Sequence, residues 1–165
     1  MTRGDADKQR DGQRDGRLDS PNDERLADAL LGLDSVVAVF LGGSRATGVD
    51  DARSDTDLYA VHRGSVAPGP ERAAALAPLA DGGEVREETA WGPEDHLHVG
   101  GGLVEVVHLE LGGLRDLVDR AYTDGLGDEG FATAFLHTVN AGLVLRDPEG
   151  EVAALQVRLV TYPEV

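Results

Sequence analysis

An α/β chain of the α+β type, with a central mixed β-sheet and helices packed mainly on one face, is the architecture the sequence predicts. Three observations predict it. Apolar, β-branched runs stand at 36–41, 55–62 and 103–111, a composition that suits strands. Segments of helical period stand between and after them, at 20–33, 71–79, 114–122, 129–139 and 152–160. Glycine and proline punctuate the chain at 65–70, 100–102 and 146–150. With 165 residues and 41% apolar content, the chain is long enough to bury one core.

Residues 1–19 are rich in Asp, Arg, Gly and Gln, with Leu18 the only large aliphatic residue after Met1. They read as a disordered tail, leaving 20–165 as the domain. A helix opens at Ser20 as the cap, with Pro21 at the first position and Asp23 three residues after Ser20. Leu26, Ala29, Leu30 and Leu33 share its apolar face. Val36–Leu41 is apolar throughout, as a strand covered on both faces would be. Residues 43–48 turn into a short helix, 50–53 form a polar loop, and 55–62 form the second strand. A Pro/Gly loop over 65–70 leads to an Ala-rich helix at 71–79. Residues 84–89 alternate as an edge strand, and 92–102 read as a loop in which Leu97-His98-Val99 form one side of a hairpin. Residues 103–111 are the last strong strand. Two helices, a short apolar segment at 143–145, a turn at 146–150 and a final helix complete the chain.

The net charge is −16, with 31 acidic against 15 basic residues. Nonspecific grip on nucleic-acid backbone needs Lys and Arg to neutralise phosphate, so this balance disfavours it. It equally disfavours docking on anionic membrane, and it suits a cationic substrate, a basic partner or plain solubility. The chain has no cysteine, which excludes disulfides and thiolate metal sites. No apolar run approaches the ~20 residues of a membrane span, and the first 19 residues lack a signal-peptide core. A cytoplasmic location is the default expectation.

The chemistry concentrates in Phe40-Leu41-Gly42-Gly43-Ser44-Arg45 and in Ser54-Asp55-Thr56-Asp57-Leu58-Tyr59. The first is a strand running into a Gly-Ser turn, where a backbone without Cβ and a hydroxyl can approach phosphate. Ten residues separate Ser44 from Asp55. Asp55 and Asp57 lie at i and i+2, so on a strand they point to one face and can bind divalent metal together. A third acid, Glu105, sits between apolar residues early in the 103–111 strand. Glu110, also flanked by leucines, is its rival but falls on the other strand face.

This set resembles the polymerase-β-like nucleotidyltransferase superfamily: an apolar strand, Gly-Ser, a gap of about ten residues, Asp-x-Asp, and a later acid on a strand. The resemblance spans roughly residues 24–162. It implies the nucleotidyltransferase fold and transfer of a nucleoside monophosphate from ATP or another nucleoside triphosphate to an acceptor hydroxyl. It further implies two Mg²⁺ ions held by Asp55, Asp57 and Glu105, with Gly43 and Ser44 at the triphosphate. Arg45 is an auxiliary phosphate candidate. The acceptor is either a small molecule such as an aminoglycoside or a protein. In the second case the chain would be an AMPylating antitoxin paired with a separate helical partner of the HEPN toxin type. A truncated, non-catalytic nucleotide-binding module is the third alternative. The helical domain that follows in many such enzymes is not evident before the chain reaches Tyr162-Pro163-Glu164-Val165.

Other residues invite weaker readings. His96, His98 and His108 could suggest zinc, but no thiolate and no helical His-x-x-x-His accompany them, so hydrogen-bonded or solvated histidines are favoured. Trp91 reads as a pocket wall or rim, and Tyr59 as core. Tyr162 is at most a self-modification acceptor.

Overall fold

A computed structural model describes residues 20–48, 54–123 and 130–160. The tail over 1–19, the loop over 50–53 and Tyr162 lie outside the described residues. The elements follow in the order α1 Pro21–Leu31, β1 Val36–Leu41, α2 Gly43–Thr47, β2 Thr56–His62, α3 Gly69–Leu76, β3 Gly82–Arg86, β4 Glu94–Val99, β5 Gly102–Glu110, α4 Leu111–Thr123, α5 Gly130–Ala141, β6 Leu143–Arg146 and α6 Glu151–Leu159.

The six strands form one mixed sheet in the order β3-β4-β5-β2-β1-β6. β2 and β5 run parallel at its centre, and the other neighbours are antiparallel. Two apolar layers cover the sheet. Leu26, Leu30 and Leu76 from α1 and α3 pack on Val39, Leu58 and Val106. Leu114, Val118, Leu136, Val139, Val152 and Leu155 from α4, α5 and α6 pack on Phe40, Val61, Val107 and Leu109. The longer helices therefore stand on both faces, α1 and α3 on one and α4, α5 and α6 on the other, with the short α2 at the Gly43 turn. That accounts for the unbroken apolar run of β1, which is buried along its whole length.

Local chemistry explains most boundaries. Pro21 occupies the first turn of α1, where a missing N–H costs nothing. Ser20 makes no side-chain cap, and Asp23 turns away to bind Arg45. The hairpin of β3 and β4 is more extensive than the alternation at 84–89 and the short 97–99 segment suggest. β4 begins at Glu94 and Asp95, both buried. Buried acids are improbable on sequence grounds because an unpaired charge is costly to desolvate. Here each has a partner.

Candidate active site

β1 ends at Leu41, and the chain turns through Gly42, whose N–H donates to the Asp57 carbonyl at 2.8 Å. This bond ties the turn to β2. Gly43 follows with φ of 61°, a region that side chains with Cβ rarely adopt. A Cβ built there would lie 1.8 Å from Asp57 Oδ2. Glycine is thus required twice, by backbone conformation and by the carboxylate lying on it. Ser44 and Arg45 continue into α2, and Thr47 Oγ1 donates to the Gly43 and Ser44 carbonyls at 3.2 Å each.

Arg45 is committed elsewhere than a free phosphate contact. Its Nη2 binds Asp23 Oδ2 at 2.6 Å, and its Nη1 binds Asp23 Oδ1 at 3.1 Å and Thr56 Oγ1 at 2.5 Å. The fork braces α2 against α1 and β2, and its charge still reaches Asp57.

The parallel register sets Asp57 opposite Glu105, and the next strand sets His96 opposite Glu105. The three lie in one row across β2, β5 and β4. Asp57 shares a face with Tyr59 and Val61, and Glu105 with Val107 and Leu109, so both acids stand on the α4–α6 side. Asp55, exposed, precedes β2 by one residue. Glu110 pairs with His62 at the far end of the strand, about 16 Å from Glu105 along β5 at ~3.3 Å per residue.

The electrostatics are those of crowded acids. Burial raises the Asp57 carboxyl above its ordinary range, with Glu105 and Asp55 adding to the rise and Arg45 opposing it. Tyr59 is pushed up to about 12 by burial, then by Asp57, Glu105 and Glu94. His96 Nε2 lies 3.3 Å from Glu94 Oε2 and 4.0 Å from Glu105 Oε1.

Two cavities meet here. One, of about 440 Å³, holds Asp57, Glu105, Glu94 and His96, with Tyr59, Trp91 and Phe135 as its aromatic walls. The other, of about 340 Å³, is lined by Gly43, Ser44, His137 and Thr138. Thr138, which is hydrogen-bonded to Tyr59, lines both. Glu94, Phe135 and Thr138 had no motif to mark them. The only sequence signal for the first was the i, i+2 spacing of Glu94 and His96, which places both on one face of β4.

The donor set is all carboxylate oxygen at Asp55, Asp57 and Glu105, the chemistry that suits Mg²⁺, which keeps several waters and needs few protein ligands. Mutual repulsion among these acids favours a cation between them. Among the described residues, no group of three or more acidic or histidine side chains is placed to hold a metal ion. The three histidines are also dispersed. His98 is exposed, His96 faces the acid cavity, and His108 is buried and bonded to His62 and Asp95.

No protein-family model matches the chain, and no curated protein matches it. Among solved structures, a nucleotidyltransferase-like protein from Exiguobacterium sibiricum is similar at 13% identity and TM-score 0.46, covering 86% of this chain and 39% of its own. A toxin–antitoxin structure with AMP-PNP is similar at 14% identity and TM-score 0.40, covering 83% of each chain. A poly(U) polymerase is similar at 18% identity and TM-score 0.42, covering 74% of this chain and 41% of its own. The chain spans about two fifths of the length of the first and third. Likeness this loose says nothing of the reaction, which has to be read from the residues of the site.

Proposed function

We propose that this chain is a metal-dependent nucleotidyltransferase, moving a nucleoside monophosphate from a nucleoside triphosphate, with ATP as the default donor, to an acceptor hydroxyl. One observation carries the reading. Asp57 lies on the Gly43 turn and, in strand register, beside Glu105. A phosphate-approach turn and paired acids in one place are what such a transfer needs.

Asp55, Asp57 and Glu105 would hold two Mg²⁺ ions. When bound, the ions would neutralise charge on the attacked phosphate and on the leaving pyrophosphate. Gly43 opens the backbone to the triphosphate, and Ser44 donates its hydroxyl to a phosphate oxygen. Glu105 takes the proton of the acceptor hydroxyl. The acceptor oxygen bonds to the α-phosphorus as the bond to the β-phosphate oxygen breaks, and pyrophosphate leaves. Arg45 positions α2 through Asp23 rather than touching phosphate.

For the acceptor, the acidic cavity with aromatic walls suits a hydroxyl-bearing organic cation such as an aminoglycoside. A protein acceptor, in an AMPylating pair with a separate helical toxin, is the second reading. It is favoured by Val157 and Val160, which are 73% and 77% exposed at the end of the described chain. Either reaction belongs in the cytoplasm, where nucleoside triphosphates and Mg²⁺ are present. Among the described residues no helix is long and apolar enough to cross a membrane.

The test is paired labelling. The protein is incubated with α-labelled or γ-labelled ATP, Mg²⁺, and a panel of aminoglycosides and cell protein, beside an Asp55→Asn/Asp57→Asn variant. The reading expects label on an acceptor from the α-position only, and none with the variant. Label from the γ-position would make it a kinase. Failure to bind or transfer nucleotide would leave a non-catalytic module.

A further inference from the structure

On the opposite face of the sheet from the acids, a hydrogen-bonded chain runs through the core. Ser35 Oγ meets His62 Nδ1 at 2.9 Å, His62 Nε2 meets His108 Nδ1 at 2.8 Å, and His108 Nε2 meets Asp95 Oδ2 at 2.8 Å. Arg72 of α3 closes it, with Nε and Nη2 on Asp95 Oδ1 at 3.2 and 3.1 Å. His62, Arg72, Asp95 and His108 are all buried. Arg72 also donates to the Ala67 carbonyl at 2.8 Å and to Glu87 at 3.1 Å.

The Asp95 end of this chain fixes the direction of its first proton. Hydrogen bonds from His108 and Arg72 outweigh the burial of Asp95 and hold its carboxyl below the usual range. An ionised carboxylate only accepts, so His108 Nε2 donates. When the His108 ring is neutral it accepts at Nδ1, which makes His62 Nε2 a donor. His62 Nδ1 is left to accept, from the Ser35 hydroxyl and, at 3.4 Å, from the Ala67 N–H. In that state both rings are Nε2–H tautomers. A second proton on His108 would require the His62 proton to move from Nε2 to Nδ1, where it would face the Ala67 N–H. One on His62 would face the Ala67 N–H.

We propose that Ser35, His62, His108, Asp95 and Arg72 form a proton-ordered clamp that holds β2 to β5, and with them the pairing of Asp57 and Glu105, only while both imidazoles are neutral. The His62–His108 bond spans the same parallel pair that carries the two acids. The groups facing the histidines are Asp95 from β4, Arg72 from α3, Ser35 before β1, and Glu87 through Arg72. Burial first, then His108 and Arg72, push His62 down to about 4. An imidazole so reluctant to take a proton cannot activate Ser35 as a nucleophile, so the serine–histidine geometry is structural. The clamp itself stands whatever the reaction. Its importance for activity rests on the nucleotidyltransferase reading.

The test uses the full chain labelled with ¹⁵N-histidine, with the two rings assigned from His62→Gln and His108→Gln variants. Long-range ¹H–¹⁵N spectra at pH 8 should show both rings as neutral Nε2–H tautomers. An Nδ1–H tautomer in either ring at pH 8, or proton uptake by His62 near pH 6.5, would overturn the proposal. For the clamping itself, hydrogen exchange at pH 7 compares His108→Phe with the wild type at Leu58 and Val106, which pair across β2 and β5. Exchange should quicken at least ~10-fold there and less in α6. Unchanged protection at Leu58 and Val106 would refute the clamp, and if the variant does not fold, the tautomers of the wild type decide. A chain with no transfer activity would still have to show these tautomers, so the two readings fail separately.

Discussion

Asp57 is held against the Gly43 backbone, with Glu105 beside it in register and Asp55 two residues upstream. Gly43→Ala adds a Cβ where the Asp57 carboxylate already lies, at a backbone angle of 61°. A displacement near 1 Å at reacting groups costs about 100-fold in rate. Transfer by Gly43→Ala should fall by at least about that factor, while circular dichroism keeps the native helix and sheet signal. Asp57→Asn should act in opposite directions on stability and function. It removes a carboxylate that burial, Glu105 and Asp55 all disfavour in ionised form. In chelator its melting temperature should exceed that of the wild type, while transfer is lost. Mg²⁺ should then raise the melting temperature of the wild type and not of this variant, as scanning calorimetry would report. The placement of Gly43, Asp57 and Glu105 was legible because turn, spacing and strand alternation agree, whereas Asp55, expected on the strand, stands one residue before β2. Arg45 was not legible as a brace. Its partner Asp23 lies 22 positions away and looked like part of a helix cap.

At the scale of elements, the buried polar chain sets the pH response. The folded His62 resists protonation down to about 4, whereas an unfolded histidine takes a proton near 6.5. The unfolded state therefore binds more protons between these values. Stability present above pH 6.5 should fall as pH drops toward 4. Asp95, held below its ordinary 3.8, adds a further loss below that value. Urea midpoints measured from pH 8 to 3.5 should show this decline, and a flat profile from 6.5 to 4 would contradict it. Arg72→Met strips the buried partner from a buried Asp95, so its cost should approach the 3–5 kcal/mol of a broken buried pair, about 3 kcal/mol or more by urea unfolding. β4 was under-read for the same reason. Glu94 and Asp95 make its start look like a loop unless Arg72, 23 positions earlier, is known to meet Asp95. The strands β1, β2 and β5 were plain in sequence because their apolar runs need no distant partner.

For the whole molecule, charge and topology act together. The mixed sheet follows from three strong strands and a hairpin, but which helices cover which face is decided by long-range packing that periodicity cannot see. A net charge of −16 means self-repulsion in the compact state. Stability should rise as salt is added from 10 to 300 mM, over which the Debye length falls from about 30 Å to well under 10 Å. If the acceptor is a cation, its kcat/KM should fall over the same range, because steering by the acidic cavity is screened. The most decisive measurement is calorimetric binding of a non-hydrolysable nucleoside triphosphate analogue, with and without Mg²⁺, to the wild type and to Asp55→Asn/Asp57→Asn. Paired acids beside the Gly43 turn, in the proposed roles, predict saturable binding that requires Mg²⁺ and is lost in the double variant. Binding of equal strength without Mg²⁺, or unchanged in the variant, would contradict the role given to these residues.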